Sequence, residues 1–547
     1  MTRLPKTLLT LKPHFEHDGA SYISVELRLE RPQASPAQPL FEYDKFWGNV
    51  PSHPYTVDDI NAQDDAGLLS FKFQAADLAN TPSLDKWFIS RYVMGDLILK
   101  FNVYPRQVDI TTPLGARIDL RRDHSGLMAT GRWFLPRLLQ DQERVYTLRW
   151  DLSEAPEGTR AIWSFGEGPG PLQKQGSWRT LFESVYMVGP VQSFPEQSAQ
   201  ISQIGKAITY WFGNLPEKMD RVKGYNSKLY PKMAEFFNDA DHDYRVFFRH
   251  SIRGYGGSGF FDSYVLEFDD KISEEDDSAL QSIFTHEMVH SFAVVAESRE
   301  WTTRWYAEGI AEIYSYMLPY RFGLCDKGYL ERICNILLRT YFTSPLIGIE
   351  IHESEKIFFT NWYAEYIPYK RGHAYLLQID SRLRGMTGRL GPNGNGPMDE
   401  IVISLAARAK RGEKITNQHW LDSIYPYFGK EVADRELQAM LDGSYLDLSQ
   451  AFVFSPAMSL HDVKQAVLQY GFDKTSVNKR VVSGLVTGSA AGKAGLRDGD
   501  HILTNSRAQI AADLENSAFS ITVQREGKPK LIEYLAHKEE MVTVWQV

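Results

Sequence analysis

Thr285-His-Glu-Met-Val-His-Ser291 is the stretch from which the rest of this chain can be read. It lies in an apolar run, Ile283 to Val295, whose spacing predicts a helix. His286 and His290 are four apart, so they stand one turn from each other on one face. Both imidazoles can then reach a single tetrahedral metal ion. Glu287 sits on the adjacent edge of that face, where a carboxylate can take the proton from a metal-bound water. Such a site needs a third ligand and an open fourth position. A bare pair of this kind also occurs on surface helices whose histidines bind nothing, so a second element has to support it.

Glu308 supplies that element. It lies in Arg304-Trp-Tyr-Ala-Glu-Gly-Ile-Ala-Glu-Ile-Tyr-Ser-Tyr316, another helical segment. Seventeen residues lie between His290 and Glu308, enough for a loop and a returning helix. Glu312 is one turn further on, on the same face. There it can accept the second ring N–H of a ligating histidine and fix its tautomer. On spacing alone the two glutamates can exchange roles; the Glu-Gly step favours Glu308 as the ligand.

The chain around this core has 547 residues, more than one ordinary core accommodates. Residues 1 to about 190 read as strands: Tyr22 to Leu29, Leu97 to Tyr104 and Val145 to Leu152. Pro and Gly clusters at Pro32 to Pro39 and Gly166 to Pro171 punctuate them. Ser198 to Phe212 reads as helix, then Tyr244 to His250 and Ser263 to Phe268 as strands. From Glu275 to about Leu446 helical periodicity dominates, with a glycine-rich loop at Gly388 to Pro397. Strands and turns return near Val481 to Val486 and Ala518 to Val523. The fold class expected is α+β multidomain. An antiparallel β domain spans 1–194, a mainly helical catalytic domain with a small sheet spans 195–457, and a third domain spans 458–547.

Hydrophobic residues make up 43% and charged residues 24%, the balance of a soluble globular protein rather than a disordered or collagen-like one. A net charge of -9 with no concentrated basic face argues against nucleic acid as a partner. No segment is apolar enough to cross a bilayer, so no membrane is expected. The first residues lack a long apolar run and a small-residue cleavage site, which points to the cytoplasm. Cys325 and Cys334 cannot build a disulfide framework or a zinc knuckle; two buried free thiols are expected, or at most one bridge.

With these motifs in place, the chain resembles the gluzincin peptidases. The matching elements are His286-Glu-Met-Val-His290, Trp305-Tyr-Ala-Glu-Gly309 and Pro368-Tyr-Lys-Arg-Gly372, in that order. They are similar to the aminopeptidase-N type and more closely to the glycyl aminopeptidase family. Trp150-Asp-Leu-Ser153 and Ser164-Phe-Gly166 resemble that family's N-terminal domain. The resemblance implies an N-terminal β domain, a thermolysin-like catalytic domain and a C-terminal PDZ domain. It implies one zinc ion and a peptide or protein substrate. It also implies that Tyr369 donates a hydrogen bond to the oxyanion of the tetrahedral intermediate.

Two departures matter. The family's glycine-rich substrate strand carries an acid that grips a free α-amine. The corresponding stretch here, Gly256-Gly257-Ser258-Gly259-Phe-Phe261, has none, and Asp262 follows out of place. This stretch can pair with an extended peptide through its backbone, or simply turn between two strands. The usual Trp-Asn pair after the second histidine is replaced by Phe292-Ala293.

Gly488-Ser-Ala-Ala-Gly-Lys-Ala-Gly-Leu-Arg-Asp-Gly-Asp-His-Ile-Leu503 resembles the core signature of PDZ domains. Tyr470, Gly471 and Phe472 would then be the loop whose N–H groups hold the carboxylate of a C-terminal peptide ligand. The plainer reading is that this domain only packs on the catalytic one. The function expected is a zinc metallopeptidase, aminopeptidase-like, with Glu287 as general base acting on a metal-bound water. The alternatives are an endopeptidase lacking the amine anchor, an inactive scaffold binding through its PDZ domain, and a hydrolase of a non-peptide substrate.

Overall fold

Every second side chain in Tyr22–Leu29 is apolar, and Ile23, Val25, Leu27 and Leu29 are all buried. The structure is a computed structural model. It describes the chain apart from residues 1–2, 18, 49, 78–83, 111, 113–114, 140–141, 197–206, 241–242, 253, 294–300 and 507–511. The chain divides into two units: Met1–Tyr230 with Asp241–Glu275, and Pro231–Ala240 with Asp276–Val547.

The first unit is built on sheets. β1 (Lys6–Glu16), β2 (Gly19–Leu29), β3 (Leu97–Val103) and β4 (Arg144–Trp150) form the middle of a seven-stranded sheet. β1 and β2 are a hairpin, with Thr7 opposite Leu29. β1 and β4 are parallel, with Lys6 beside Val145. The expectation of a purely antiparallel domain is therefore corrected. A tight turn forces antiparallel pairing, but β4 arrives after a long excursion and is free to enter in either direction. The core is rich in large aromatics, among them Trp87, Trp133, Trp163 and Trp178.

A second, five-stranded sheet lies in the same unit. Its order is β5 (Val191–Phe194), β6 (Ala207–Phe212), β7 (Tyr244–His250), β9 (Ser263–Phe268) and, at the edge, β8 (Gly256–Phe260). β6, β7 and β9 run parallel, and β8 returns antiparallel to β9. β9 is buried along its whole length; Tyr264, Val265, Leu266 and Phe268 are apolar or aromatic, and the buried Glu267 is paired with Arg249. The helix expected over Ser198 to Phe212 is corrected for its last six residues. Ala207-Ile-Thr-Tyr-Trp-Phe212 is rich in β-branched and aromatic residues and enters the sheet as β6. Its earlier part, 198–206, lies outside the described residues.

The second unit is helical in its first part. α1 (Asp277–Phe292) is capped by the Asp276 side chain, which accepts from the Ser278 N–H. α2 (Trp301–Arg321), α3 (Lys327–Phe342), α4 (Ile351–Lys356) and α5 (Ile367–Thr387) follow. α5 ends on Gly388 in the left-handed conformation, which opens the expected glycine-rich loop. α2 and α5 cross at backbone contact. A Cβ on Gly309 would meet the Gly372 carbonyl carbon at 2.6 Å, and one on Gly372 would meet the Trp305 oxygen at 2.1 Å. These two glycines end the Trp-Tyr-Ala-Glu-Gly and Pro-Tyr-Lys-Arg-Gly motifs, so the motifs meet at this crossing.

The C-terminal part is again β. β10 (His461–Leu468) pairs antiparallel with β14 (His537–Gln546). β11 (His501–Asn505), β12 (Ala518–Arg525) and β13 (Lys528–Leu535) form a second small sheet. Within the Gly488–Leu503 stretch the residues Ala490–Lys493 form a short helix. The strand expected over Val481 to Val486 is corrected: only Val481 pairs, with His501. Gly484 at φ +67 turns the chain out of extended geometry there. Cys325 and Cys334 are free thiols, and burial pushes both up to about 12. No helix among the described residues is long and apolar enough to cross a membrane.

Candidate metal centre

α1 carries His286 and His290 on one face, with their Nε2 atoms 3.2 Å apart. α2 brings Glu308 to them. Its Oε2 stands 3.4 Å from His286 Nε2 and 3.2 Å from His290 Nε2. Three donors at about 2.0–2.1 Å from a tetrahedral zinc ion would be about 3.3 Å from one another. The observed triangle therefore fits such an ion, and the donor set is one that zinc takes.

The charges around the triangle favour a cation. Glu287, Glu308 and Glu312 all act electrostatically on His286, and of the nearby cations Arg304 pairs with Glu308 and Lys370 with Glu312. Burial works against a charged His286, but its hydrogen bond to Glu308 and the nearby carboxylates push it up to about 9. Burial would raise Glu308, yet the charge of His290 and hydrogen bonds from both histidines hold its carboxyl well below the usual range. Burial pushes Glu287 up, the direction that suits a proton acceptor working near neutrality.

Glu312 is buried one turn beyond Glu308. Its Oε2 is 3.9 Å from His286 Nδ1, an ion-pair distance rather than a hydrogen bond. Its Oε1 accepts from Lys370 Nζ at 2.7 Å. Tyr369, in the first turn of α5, lays its ring parallel to His286, with centroids 6.0 Å apart. Sequence reasoning passes over Arg304 and Lys370. Arg304 donates from Nη2 to the Tyr369 hydroxyl at 3.3 Å, and its Nε is 3.5 Å from Glu308 Oε1. Spacing was the available signal: Arg304 is four residues before Glu308 and shares its face.

The other expected site residues stand on other elements of the chain. Gly256–Gly259 belongs to the first unit, on the edge strand β8. Gly257 has to be glycine, because a Cβ would meet the Tyr264 hydroxyl at 1.7 Å. Ser258 Oγ accepts from the Arg117 N–H at 3.2 Å. Asp262 is in the turn after β8 with φ 47. In the second unit, Tyr470 donates its N–H to the Tyr363 hydroxyl at 3.1 Å. The Phe472 carbonyl accepts from Trp362 Nε1 at 2.7 Å, and the Gly471 carbonyl from the Val486 N–H at 2.8 Å.

Among the described residues one further His and carboxylate group is close enough to share an ion: Asp123, His124 and His250, in the first unit. His124 Nδ1 and His250 Nδ1 lie 2.7 and 3.1 Å from the same Asp123 Oδ1. Asp123 Oδ2 accepts the His250 backbone N–H at 2.9 Å.

No family model and no curated protein matches this sequence. Solved structures do match. An aminopeptidase N family protein from Idiomarina loihiensis aligns over 99% of this chain and 98% of its own. Its TM-score is 0.64 and its identity 15%. An M1 zinc metallopeptidase mutant from Deinococcus radiodurans, bound to a Tyr-Ser-Ala substrate, aligns over 81% and 95%, with TM-score 0.48 and identity 15%. Yeast LTA4 hydrolase in complex with bestatin aligns over 81% and 68%, with TM-score 0.49 and identity 12%. The first of these carries the comparison, and what it shows is a shared fold. That fold is a mixed multidomain one, with an N-terminal β-sheet domain and a helical domain.

Proposed function

We propose that this protein is a zinc metallopeptidase of aminopeptidase-like type, acting on a peptide or protein substrate. The observation that carries it is the triangle of His286, His290 and Glu308 donors, 3.2–3.4 Å on each side. His286, His290 and Glu308 would hold one zinc ion. When bound, the ion supplies a Lewis acid for the scissile carbonyl and makes a water more acidic. Glu287 takes the proton from the attacking water and later delivers it to the leaving amine. Tyr369 donates its phenolic hydrogen to the developing oxyanion. Arg304 donates to the same phenolic oxygen, so the phenol's own hydrogen is free to point at substrate and is made a better donor. Glu312, held by Lys370, sets the electrostatic environment of His286 from behind.

The proposed organisation is a β domain over 1–194, a thermolysin-like domain over 195–457 and a PDZ-like domain over 458–547. In it, Gly256–Gly259 offers its edge to an extended peptide. The absence of an acid in Gly256–Phe261 favours a second reading, cleavage without a free N-terminus. The test is a peptide-pool digest with free and blocked N-termini, read by mass spectrometry. It is run on wild type, chelated and zinc-restored protein, and on Glu287→Gln. Glu287→Gln should keep its zinc and lose about 10²–10⁴-fold in turnover. Full activity in that variant, or activity surviving chelation, overturns the proposal. Cleavage of blocked peptides moves it to the endopeptidase reading.

A further inference from the structure

Between α4 and α5 the chain runs through Phe358–Tyr366, and Trp362 leaves this segment to enter the core of the C-terminal β region. It is 8% exposed and belongs to a hydrophobic cluster whose other buried members all come from residues 468–536. Its ring centroid lies 4.6 Å from Tyr470, 5.6 Å from Phe472 and 6.4 Å from Phe519. Its Nε1 donates to the Phe472 carbonyl at 2.7 Å. The next residue, Tyr363, stacks on Tyr470 and accepts its N–H at 3.1 Å. Glu365 pairs with Lys474. Asn361 Oδ1 accepts from the N–H groups of Tyr363 and Ala364 and holds the segment in its turn.

Both ends of this segment bear on Tyr369. A 3-10 turn, Ala364–Tyr366, passes directly into α5, whose third residue is Tyr369. At the other end, the Phe358 ring lies under the Arg304 guanidinium, 4.5 Å from centroid to carbon, and Arg304 donates to the Tyr369 hydroxyl. We propose that the C-terminal β region takes this segment as its own internal ligand, and that Trp362 is thereby a positioning residue for Tyr369. The Tyr470–Phe472 loop, which resembles a carboxylate-binding loop, is engaged by Trp362 and Tyr363 instead. Its effect is to set the first turn of α5, and with it the phenol, against His286. A phenol displaced by about 1 Å loses much of its value to an oxyanion, because hydrogen-bond geometry is steep at that distance. The inference rests on the reading of Tyr369 as an oxyanion donor.

The experiment is a double-mutant cycle in full-length, zinc-loaded protein, with kcat and KM measured separately and zinc content assayed. Trp362→Ala should lower kcat about tenfold, with zinc retained and KM within about twofold. In the Tyr369→Phe background the same change should cost less than about twofold, since its target is already gone. An equal loss in both backgrounds, or a change in KM alone, overturns the inference. Should Trp362→Ala not fold, Trp362→Phe, which keeps a ring and deletes the N–H, enters the same cycle and decides it in the same way. A second readout does not depend on activity. Amide exchange over 364–372 should quicken by at least about fivefold in either Trp362 variant, with α1 unchanged. Unchanged exchange there overturns the clamp. A Tyr369→Phe variant with full activity would refute the role of Tyr369 while leaving the exchange result to judge the clamp.

Discussion

Two clusters in this chain hold the same side-chain types, a pair of imidazoles and a carboxylate, and they are built differently. At His286, His290 and Glu308 the three donor atoms stand 3.2–3.4 Å apart around a shared centre. At Asp123, His124 and His250 both Nδ1 atoms converge on one carboxylate oxygen, at 2.7 and 3.1 Å, and the other oxygen takes a backbone N–H. The first arrangement spaces its three donor atoms almost equally, as the corners of a triangle. The second gathers both rings on the same carboxylate oxygen. The backbone makes the difference. One helical turn separates the imidazoles of the first, and a second helix brings the carboxylate from outside. In the second, Asp123 and His124 are neighbours at a hairpin, so the ring folds onto the adjacent carboxylate. Donor type is not enough to make a metal site; the spacing has to come from rigid elements.

The comparison can be broken most directly at its metal-binding side. His286→Ala is expected to abolish stoichiometric zinc and reduce peptide turnover to background, whereas His124→Ala should leave zinc content untouched. Equal zinc loss in both, by elemental analysis, would erase the distinction. Tyr369→Phe should come next. With zinc retained and KM little changed, kcat should fall about 10²–10³-fold. A fall in zinc content instead would make Tyr369 part of the metal site rather than of the reaction.

Gly309→Ala tests whether rigid helices set the spacing. The added methyl would meet Gly372 backbone at 2.6 Å, so α2 and α5 must part. The expected cost is at the upper end of about 1–3 kcal/mol, with a lowered Tm and weaker zinc affinity. Unchanged zinc affinity would show that the crossing does not set the ligand triangle.

The smallest effect belongs to the hydrogen-bonded cluster. His250 is raised by its hydrogen bond to Asp123, against burial, so its contribution is complete below about pH 6.5 and fades as pH rises through the raised value. Asp123 is lowered by His250 despite its own burial, so its contribution is present above about pH 3.9 and is lost as pH falls through the lowered value. Asp123→Asn should therefore cost about 1 kcal/mol between those limits and less on either side, read by urea denaturation across pH. A difference that keeps growing above neutral pH would mean that His250 carries no charge in the fold.

Much of the candidate metal centre was legible because its signals are local. The four-residue spacing of His286 and His290 dictates one helix face, and the Glu-Gly step favours Glu308 over Glu312 as the third donor. The sheet unit was legible where alternation is regular, as in Tyr22–Leu29. It failed at Ala207–Phe212, where a short apolar run next to helix-like residues does not declare its partner, and at Val481–Val486, where Gly484 turns a strand-like pattern aside. Parallel pairing of β1 with β4 could not be read at all, because no local signal encodes the direction of a strand that arrives from far along the chain.

By itself, then, the order of residues determined which side chains could serve as ligands and base, since helical periodicity acts within a turn or two. Tyr369 as oxyanion donor came only with the resemblance of Pro368-Tyr-Lys-Arg-Gly372 to a known motif. Only the tertiary structure decided that Glu308 rather than Glu312 faces both imidazoles, that Arg304 and Lys370 back the site, and that Trp362 sits in the core of the C-terminal strands. Those contacts join residues far apart in sequence. They exist because apolar faces and two facing glycines bring whole elements together, which no window of neighbouring residues specifies.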